Sequence, residues 1–420
     1  MNLEIEINTI LQQFPKLKKN IKKIYQSFFV LLSLRKQNSC NLIQLTPNDG
    51  YEYFFGYYDK SPWDISNRYV LCLKVKRTYK DVAPKEPANI VLIDTKNDNE
   101  IKVLGQTHAW NVQQGCMLQW LGPDFKDKII FNDFRDNHYC SVILSINNHE
   151  EKIFDMPIYS VNKSANFALT LDFSRLHRLR KGYGYSNIPD KTKGILIPNG
   201  PCIWRVDLKY GSIKPIIYYN DLYCFESRDD MISAEHKVNH IMISPNGKRF
   251  MFLHRWIKKQ KKYSRLITCD ADGSNMYNLL DHDMVSHCSW KNDEEIIVFA
   301  NMKKIGVGYY LLKDKSHKFK HLWPGLVQDG HPSYSPNLSL VVTDSYPNRI
   351  RMSNVYCMTE NDNPLIVAKV FMPFKYDNET RCDLHPRWSH SGKYICVDSV
   401  IKRKRALCYL EIDNEDSTNK

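Results

Sequence analysis

Two kinds of hydrophobic pattern divide the chain. Over residues 3–36, Ile10, Phe14, Leu17, Ile21, Ile24, Phe28 and Leu31 recur at spacings of three and four. That period lays one apolar stripe along a helix. Lys16, Lys18, Lys19, Lys22 and Lys23 populate the rest of it, and Pro15 breaks or kinks the pattern. From about residue 40 the period changes to two. Short strands of alternating character are separated by Asp, Asn, Gly and Ser turns.

One unit recurs in this second part: a polar turn, a strand, then a second strand ending in a polar hairpin. It reads at 61–75 "SPWDISNRYVLCLKV", 119–134, 160–173, 243–256 "ISPNGKRFMFLHRW", 289–302, 333–346 "SYSPNLSLVVTDSY" and 387–400 "RWSHSGKYICVDSV". Seven such units, mostly spaced at roughly 40 to 50 residues, match propeller blades. A lone four-stranded blade cannot bury both faces, whereas a ring of them packs each blade against its neighbours. The last unit lacks an outer strand, which "NLIQLTP" at 41–47 would supply by closing the ring. The expected fold is all-β: a seven-bladed β-propeller over 39–420 with an N-terminal amphipathic helical arm over 1–38. The gap between the third and fourth units is too long and predicts an insertion over about 174–235.

Composition narrows the class. Of 420 residues, 43% are hydrophobic and 25% charged, which suits a folded core. Net charge is +13, so anionic partners are favoured. No RNA-binding signature, zinc-finger spacing or DNA-reading helix accompanies that charge, so nucleic acid is not the expected partner. The 12 cysteines are scattered without a C-x-x-C, and read as buried thiols in a reducing, cytoplasmic setting. "SFFVLLSL" at 27–34 is too short to span a bilayer. The arm therefore either packs on the propeller or lies in a membrane interface, lysines at anionic head groups, on the inner face of the cytoplasmic membrane.

Propeller chemistry gathers at the central channel, and the residues just ahead of the repeat turns should face it. They are polar: Glu235, His236, Asn239 and His240 before the fourth, His287 before the fifth, Gln328, Asp329 and His331 before the sixth, Arg381, Asp383, His385 and Arg387 before the seventh. Four consecutive units present a histidine in register. Imidazoles with an amide suit manganese, zinc or iron, and equally suit acid–base catalysis. Arg255, Arg381 and Arg387 would clamp carboxylates or phosphates, with Asn239 beside them. Tyr57, Tyr58, Trp63 and Trp110 would either stack on sugar rings or pack between blades.

The run from "HIMISPNGKRFMFLHRW" through "SHCSW" to "QDGHPSYSP" resembles the oligogalacturonate lyases, seven-bladed propellers related to the TolB type. The resemblance implies a manganese ion held by His287, Gln328 and His331. The family motif continues to a further histidine, where this chain has Ser333. It also matches His240 to a histidine near the reacting sugar. "RCDLHPRW" and the basic arm are similar to a second branch of such propellers, associated with bacterial surface-polysaccharide loci and glycosyl transfer.

Three functions follow as expectations. The first is a membrane-associated enzyme of surface-polysaccharide biosynthesis, transferring sugar onto an anionic or lipid-linked glycan. The second is a metal-dependent lyase of uronate oligosaccharides, and the third a non-catalytic glycan- or protein-binding propeller. For the enzymes, His240 and His385 are the acid–base candidates and Asp383 orients an imidazole. His287, Gln328 and His331 hold a divalent metal, manganese first, and Arg255, Arg381, Arg387 and Asn239 bind substrate.

Overall fold

The computed structural model describes residues 15–33 and 41–412. Ile10, Phe14, Cys40 and the outer parts of the 1–38 arm lie outside the described residues. Seven four-stranded antiparallel sheets form the ring. The first blade takes β2 (Glu52–Phe54), β3 (Tyr69–Val75), β4 (Ala88–Asp94) and β5 (Glu100–Thr107). Blade two runs from Gln119 to Phe154 and blade three from Ser160 to Tyr218. Blade four comprises β14 (Glu235–Ile243), β15 (Arg249–Lys258), β16 (Lys261–Asp270) and β17 (Tyr277–Leu280). Blade five begins with β18 (Val285–Trp290), and blade six contains β22 (Ser333–Tyr334), β23 (Val341–Asp344) and β24 (Met352–Met358). In blade seven, β26 (Arg387–Trp388), β27 (Tyr394–Ile401) and β28 (Lys404–Glu411) are joined by β1 (Ile43–Gln44). Ile43 pairs with Tyr409 and Gln44 with Cys408, so the 41–47 segment does close the ring.

The recurrent turn has a common chemistry. Its first polar side chain accepts the backbone N–H of the residue five positions on, where the second strand begins. Asp64 does this for Tyr69 at 2.8 Å, Asn162 for Phe167 at 3.0 Å and Ser244 for Arg249 at 3.0 Å. Ser335 does it for Leu340 at 3.0 Å and Ser389 for Tyr394 at 3.1 Å. Short oxygen side chains are favoured there because they satisfy a backbone donor that the turn leaves unpaired. Middle strands are buried on both faces, as in "EIIVFANM" at Glu295–Met302, because each blade is covered by its neighbours. Trp63 is part of this packing, stacked on Tyr394 at 5.2 Å, and Trp110 packs on Phe54. Both tryptophans are blade contacts, not sugar platforms.

The expected single insertion over 174–235 is corrected. Pro201–Asp207 and Ile213–Tyr218 lie inside that span and are the third and fourth strands of blade three. The extra chain is therefore two excursions. The first, 171–200, leaves the end of the second strand and carries α2 (Phe173–Leu179). The second, 219–234, links blades three and four and starts with α3 (Tyr219–Cys224). Buried Arg175 ties the first to blade four, donating to His236 O at 2.7 Å, Leu196 O at 3.2 Å and the Thr192 hydroxyl at 2.7 Å. A chain of two imidazole rings and a guanidinium ties the second. Arg265 donates to His254 Nδ1 at 3.2 Å, His254 Nε2 meets His236 Nδ1 at 2.9 Å, and His236 Nε2 meets Met231 O at 3.1 Å. The carbonyl and guanidinium at its ends set both tautomers, with each Nε2 carrying its proton.

The helix α1 (Pro15–Ser33) opens with Pro15, where proline is tolerated, so no kink falls inside it. It touches blade six through Gln26, which donates to Asn348 O at 3.4 Å, and through Phe29, capped by Arg349 at 5.0 Å. Among the described residues no helix is long and apolar enough to cross a membrane.

Candidate functional site

In a blade the first strand runs away from the face where its preceding loop lies, and the second returns to it. Loops leading into first strands and loops between second and third strands thus share one face of the ring. On that face stand the residues ahead of the turns, both excursions, and the 345–351 loop of blade six that meets α1.

Four histidines converge there. Rings of His287 and His331 lie 4.1 Å apart, His331 and His385 4.3 Å, and His240 and His287 5.5 Å. All four are buried. Asp344, at the end of β23, organises two of them. Its Oδ1 accepts from the backbone N–H of His331 and meets His331 Nδ1, both at 2.8 Å, and its Oδ2 accepts from the backbone N–H of His385 at 3.1 Å. Gly330 makes this approach feasible: a Cβ there would stand 1.9 Å from Asp344 O. With Nδ1 committed to the carboxylate, His331 turns Nε2 outward, and that atom is buried with no hydrogen-bond partner. Both ring nitrogens of His385 are likewise buried and unpartnered.

His385 has φ 45° and His240 φ 56°, in the left-handed region that non-glycine residues seldom adopt. His240 sits where β14 slips register against β15, between Asn239 and Met242. Such bulges re-aim a side chain, here away from the strand and into the centre. His236, on the regular part of the same strand, faces His254 instead. The two left-handed histidines are strained positions held by their surroundings, a pattern that clusters at functional sites.

The other side of the centre is phenolic. Tyr57 Oη lies 2.5 Å from His240 Nε2, and Tyr58 Oη donates to Cys288 O at 2.7 Å. Gly56 delivers both rings: with φ 126° it runs so close to blade two that a Cβ would lie 2.7 Å from Gln114 backbone atoms. Tyr159 Oη accepts from the His240 backbone N–H at 3.1 Å and from Gln114 at 2.8 Å.

Charge states follow from burial. Desolvation, then the neighbouring His287 and Arg255, holds His240 well below the ordinary imidazole value. Desolvation, then His331 and Arg387, does the same to His385. Burial also lowers His287, against the pull of Asp329, 2.9 Å from its Nδ1. His331 differs: burial is outweighed by Asp344, and its value rises. Tyr57 is pushed well above the usual phenol range, by burial first and neighbouring tyrosines second. Near neutral pH the centre thus offers three neutral imidazoles and a protonated phenol.

Beside the histidines is a cavity of about 210 Å³, lined by Arg180, Lys237, Arg255 and Lys262 along with Ser286 and Asp329. Buried Lys237 donates to Leu179 O at 3.0 Å, and burial, then Arg255, Arg180 and Lys262, drives its value well down. Arg255 donates to Val285 O and Ser286 O at 3.2 Å, while its Nε is buried and unpartnered. Cations so placed repel one another until an anion enters.

The predicted residues fare unequally. The structure brings His240, His287, His331, His385 and Asp383 together and puts Arg255 at the edge. The ligating atoms of His331, Asp383 and His385 all lie within 4.8 Å of one another. Arg381 grips both oxygens of Asp383 and stacks on Tyr346 at 4.0 Å. Gln328 is corrected: its side chain is exposed, and the next residue, Asp329, meets His287 instead. Arg387 is corrected too. It is buried, donating to Tyr57 O at 2.8 Å, to Gly56 O and to Asp398, so it is a fastening between blades seven and one and no anion clamp. Asn239 is buried, with its Oδ1 unpartnered. Sequence reasoning missed Asp344, Arg180 and Lys237. The only signal for Arg180 was the basic texture of the insertion, and Lys237 stood unremarked among the polar residues at 235–240.

The donor set fits a divalent metal. Two imidazoles and a carboxylate suit manganese, zinc or iron, and the orphaned buried nitrogens of His331 and His385 lack any other partner. A carboxylate behind a ligating imidazole, as Asp344 stands behind His331, is the usual support for such a ligand.

A ring of seven blades with a buried histidine centre on one face defines the class to which the fold belongs. Among solved structures the chain is similar to an oligogalacturonate lyase in complex with manganese, at TM-score 0.64 and 17% identity over 89% of this chain and 93% of that one. It is similar to an oligogalacturonate lyase from Vibrio parahaemolyticus at 0.61 and 12%, over 89% and 94%. The β-propeller domain of the trilobed protease from Pyrococcus furiosus follows at 0.50 and 11%, over 86% and 100%. At these identities the likeness is one of fold. No family model and no curated protein sequence matches the chain.

Proposed function

We propose that the chain is a metal-dependent lyase that cleaves acidic oligosaccharides by β-elimination. The observation that carries this reading is the juxtaposition of orphaned histidine nitrogens with a cationic cavity on the same face. Arg180, Arg255 and Lys262 would take uronate carboxylates, offsetting their mutual repulsion. His331, His385 and Asp383 would hold the metal. His385 would then stand in for the ligand that Ser333 leaves out of the linear motif. A bound divalent ion supplies Lewis acidity toward the carboxylate next to the reacting carbon.

The chain's own groups handle the proton. His240 is neutral and lies against Tyr57. A proton leaving the carbon beside the carboxylate is taken up by this pair: the Tyr57 oxygen receives it as its own proton passes to His240 Nε2. The electron pair of the broken C–H bond forms the carbon–carbon double bond. The glycosidic C–O bond breaks, and the leaving oxygen takes the proton held by the Tyr57–His240 pair, which returns to its starting state. The products are an unsaturated uronate and a new sugar end. The glycosyl-transfer expectation draws no support from the structural likenesses, which name two lyases and a protease domain.

The test is to load purified protein with manganese and incubate it with uronate oligomers, following ultraviolet absorbance of the unsaturated product. Turnover that falls at least about a hundredfold in His240→Ala is expected for loss of a general base. Folded, metal-loaded protein that releases no unsaturated product from any uronate oligomer would overturn the reading and leave a binding propeller.

A further inference from the structure

We propose that α1, with the first blade-three excursion, is a docking surface for an anionic lipid bilayer, and that docking turns the histidine mouth toward the lipid head groups. Gln26, Phe29 and Val30 are the contacts and burial that hold α1 to blade six. On a 3.6-residue helix the row 17-21-24-28-31 projects away from Gln26 and Val30. Ile24 is 72% exposed, Phe28 59%, Leu31 68% and Leu32 67%. A soluble surface seldom leaves such a continuous apolar stripe bare.

Charge selects the occupant. Positions 16–23 hold five lysines, and Pro15–Ser33 contains no acidic residue. Two copies pairing through this helix would concentrate positive charge in one assembly, whereas an anionic bilayer takes the exposed Lys22 and Lys23 and the apolar row together. A second segment points the same way. In the first excursion Lys191 and Lys193 are exposed beside Ile195 at 47% and Leu196 at 43% exposure. Arg175 holds the backbone of this stretch to blade four while those side chains stay outside. Both segments lie on the face that bears the histidines, because each belongs to, or packs on, a loop between second and third strands. The substrate would then be a glycan presented at a lipid surface. This inference concerns placement and does not rest on the lyase reading.

The test is co-sedimentation of the full chain with vesicles of phosphatidylcholine alone or with added phosphatidylglycerol. Binding is expected only with phosphatidylglycerol, weakening with salt as screening grows. The triple variant Ile24→Asp, Phe28→Asp, Leu31→Asp should lose at least about tenfold in binding. Lys22→Glu with Lys23→Glu should weaken binding and blunt its salt dependence. Unchanged thermal unfolding of both variants shows that the propeller remains intact. Absence of wild-type sedimentation with either vesicle overturns the proposal. So does equal binding by the triple variant, or a wild-type dimer in light scattering that the triple variant dissociates, which would make a second copy the occupant.

Discussion

The two halves of the ring contribute opposite things to its centre. Blades four to seven each send in one histidine, backed by carboxylates: Asp329 behind His287, Asp344 behind His331 and His385. The segments before the second strand of blade one and ahead of blades two and three send phenols and an amide: Tyr57 and Tyr159 bond to His240, Gln114 to Tyr159, and Tyr58 to Cys288. A seven-fold repeat thus carries an asymmetric site. One half can hold a metal and exchange protons, and the other sets the position of the first half's base, His240. At the seam the first excursion adds Arg180 to the blade-four cations Lys237, Arg255 and Lys262.

The largest expected effect strikes the histidine half. Asp344→Ala removes the acceptor of three hydrogen bonds and the counter-charge of His331, and breaking such a buried pair costs about 3–5 kcal/mol. Denaturant unfolding measures it, and metal binding should vanish in the same variant. The backbone offers a matched pair of tests. Gly330→Ala forces a Cβ into Asp344 O, and Gly56→Ala forces one into Gln114 while keeping a left-handed φ. Each should destabilise by roughly 2–4 kcal/mol. The first should abolish metal binding and the second should spare it, which separates the halves.

Acid should loosen the excursions. His236 and His254 have values lowered by burial, so the unfolded chain takes up protons first. Stability is full above about pH 6.5 and declines as pH falls through the lowered folded values, by up to about 1.4 kcal/mol per unit for each histidine. Thermal unfolding at a series of pH values checks this, and His254→Leu should flatten the slope. Smaller still, Tyr57→Phe should cost about 1 kcal/mol of stability, keep metal binding and cut turnover. Gln328→Ala should change stability by less than about 0.5 kcal/mol, as an exposed loop side chain does.

These effects mark what was legible in the chain. The turn repeat, the closing strand at 41–47 and the four histidines in register could be read because each is a local pattern. Asp344 could not. In "VVTDSY" it looks like a strand end, and only the ring brings blade seven's His385 onto its second oxygen. Gln328 and Asp329 show the converse. Both stand in one loop, and a one-residue difference in direction decides which reaches His287. Arg387 was read as a free cation because sequence does not reveal Asp398, which β27 places beneath it. The insertion's bounds were drawn too wide because the 171–200 excursion parts the strands at 201–207 and 213–218 from the first two strands of their blade.

The most direct measurement is metal content by elemental mass spectrometry of the manganese-loaded wild type, His331→Ala, His385→Ala and Gln328→Ala proteins. The account predicts one equivalent in the wild type and in Gln328→Ala, and loss in both histidine variants. Metal that persists without His385 but departs without Gln328 would contradict it, returning the site to the linear motif.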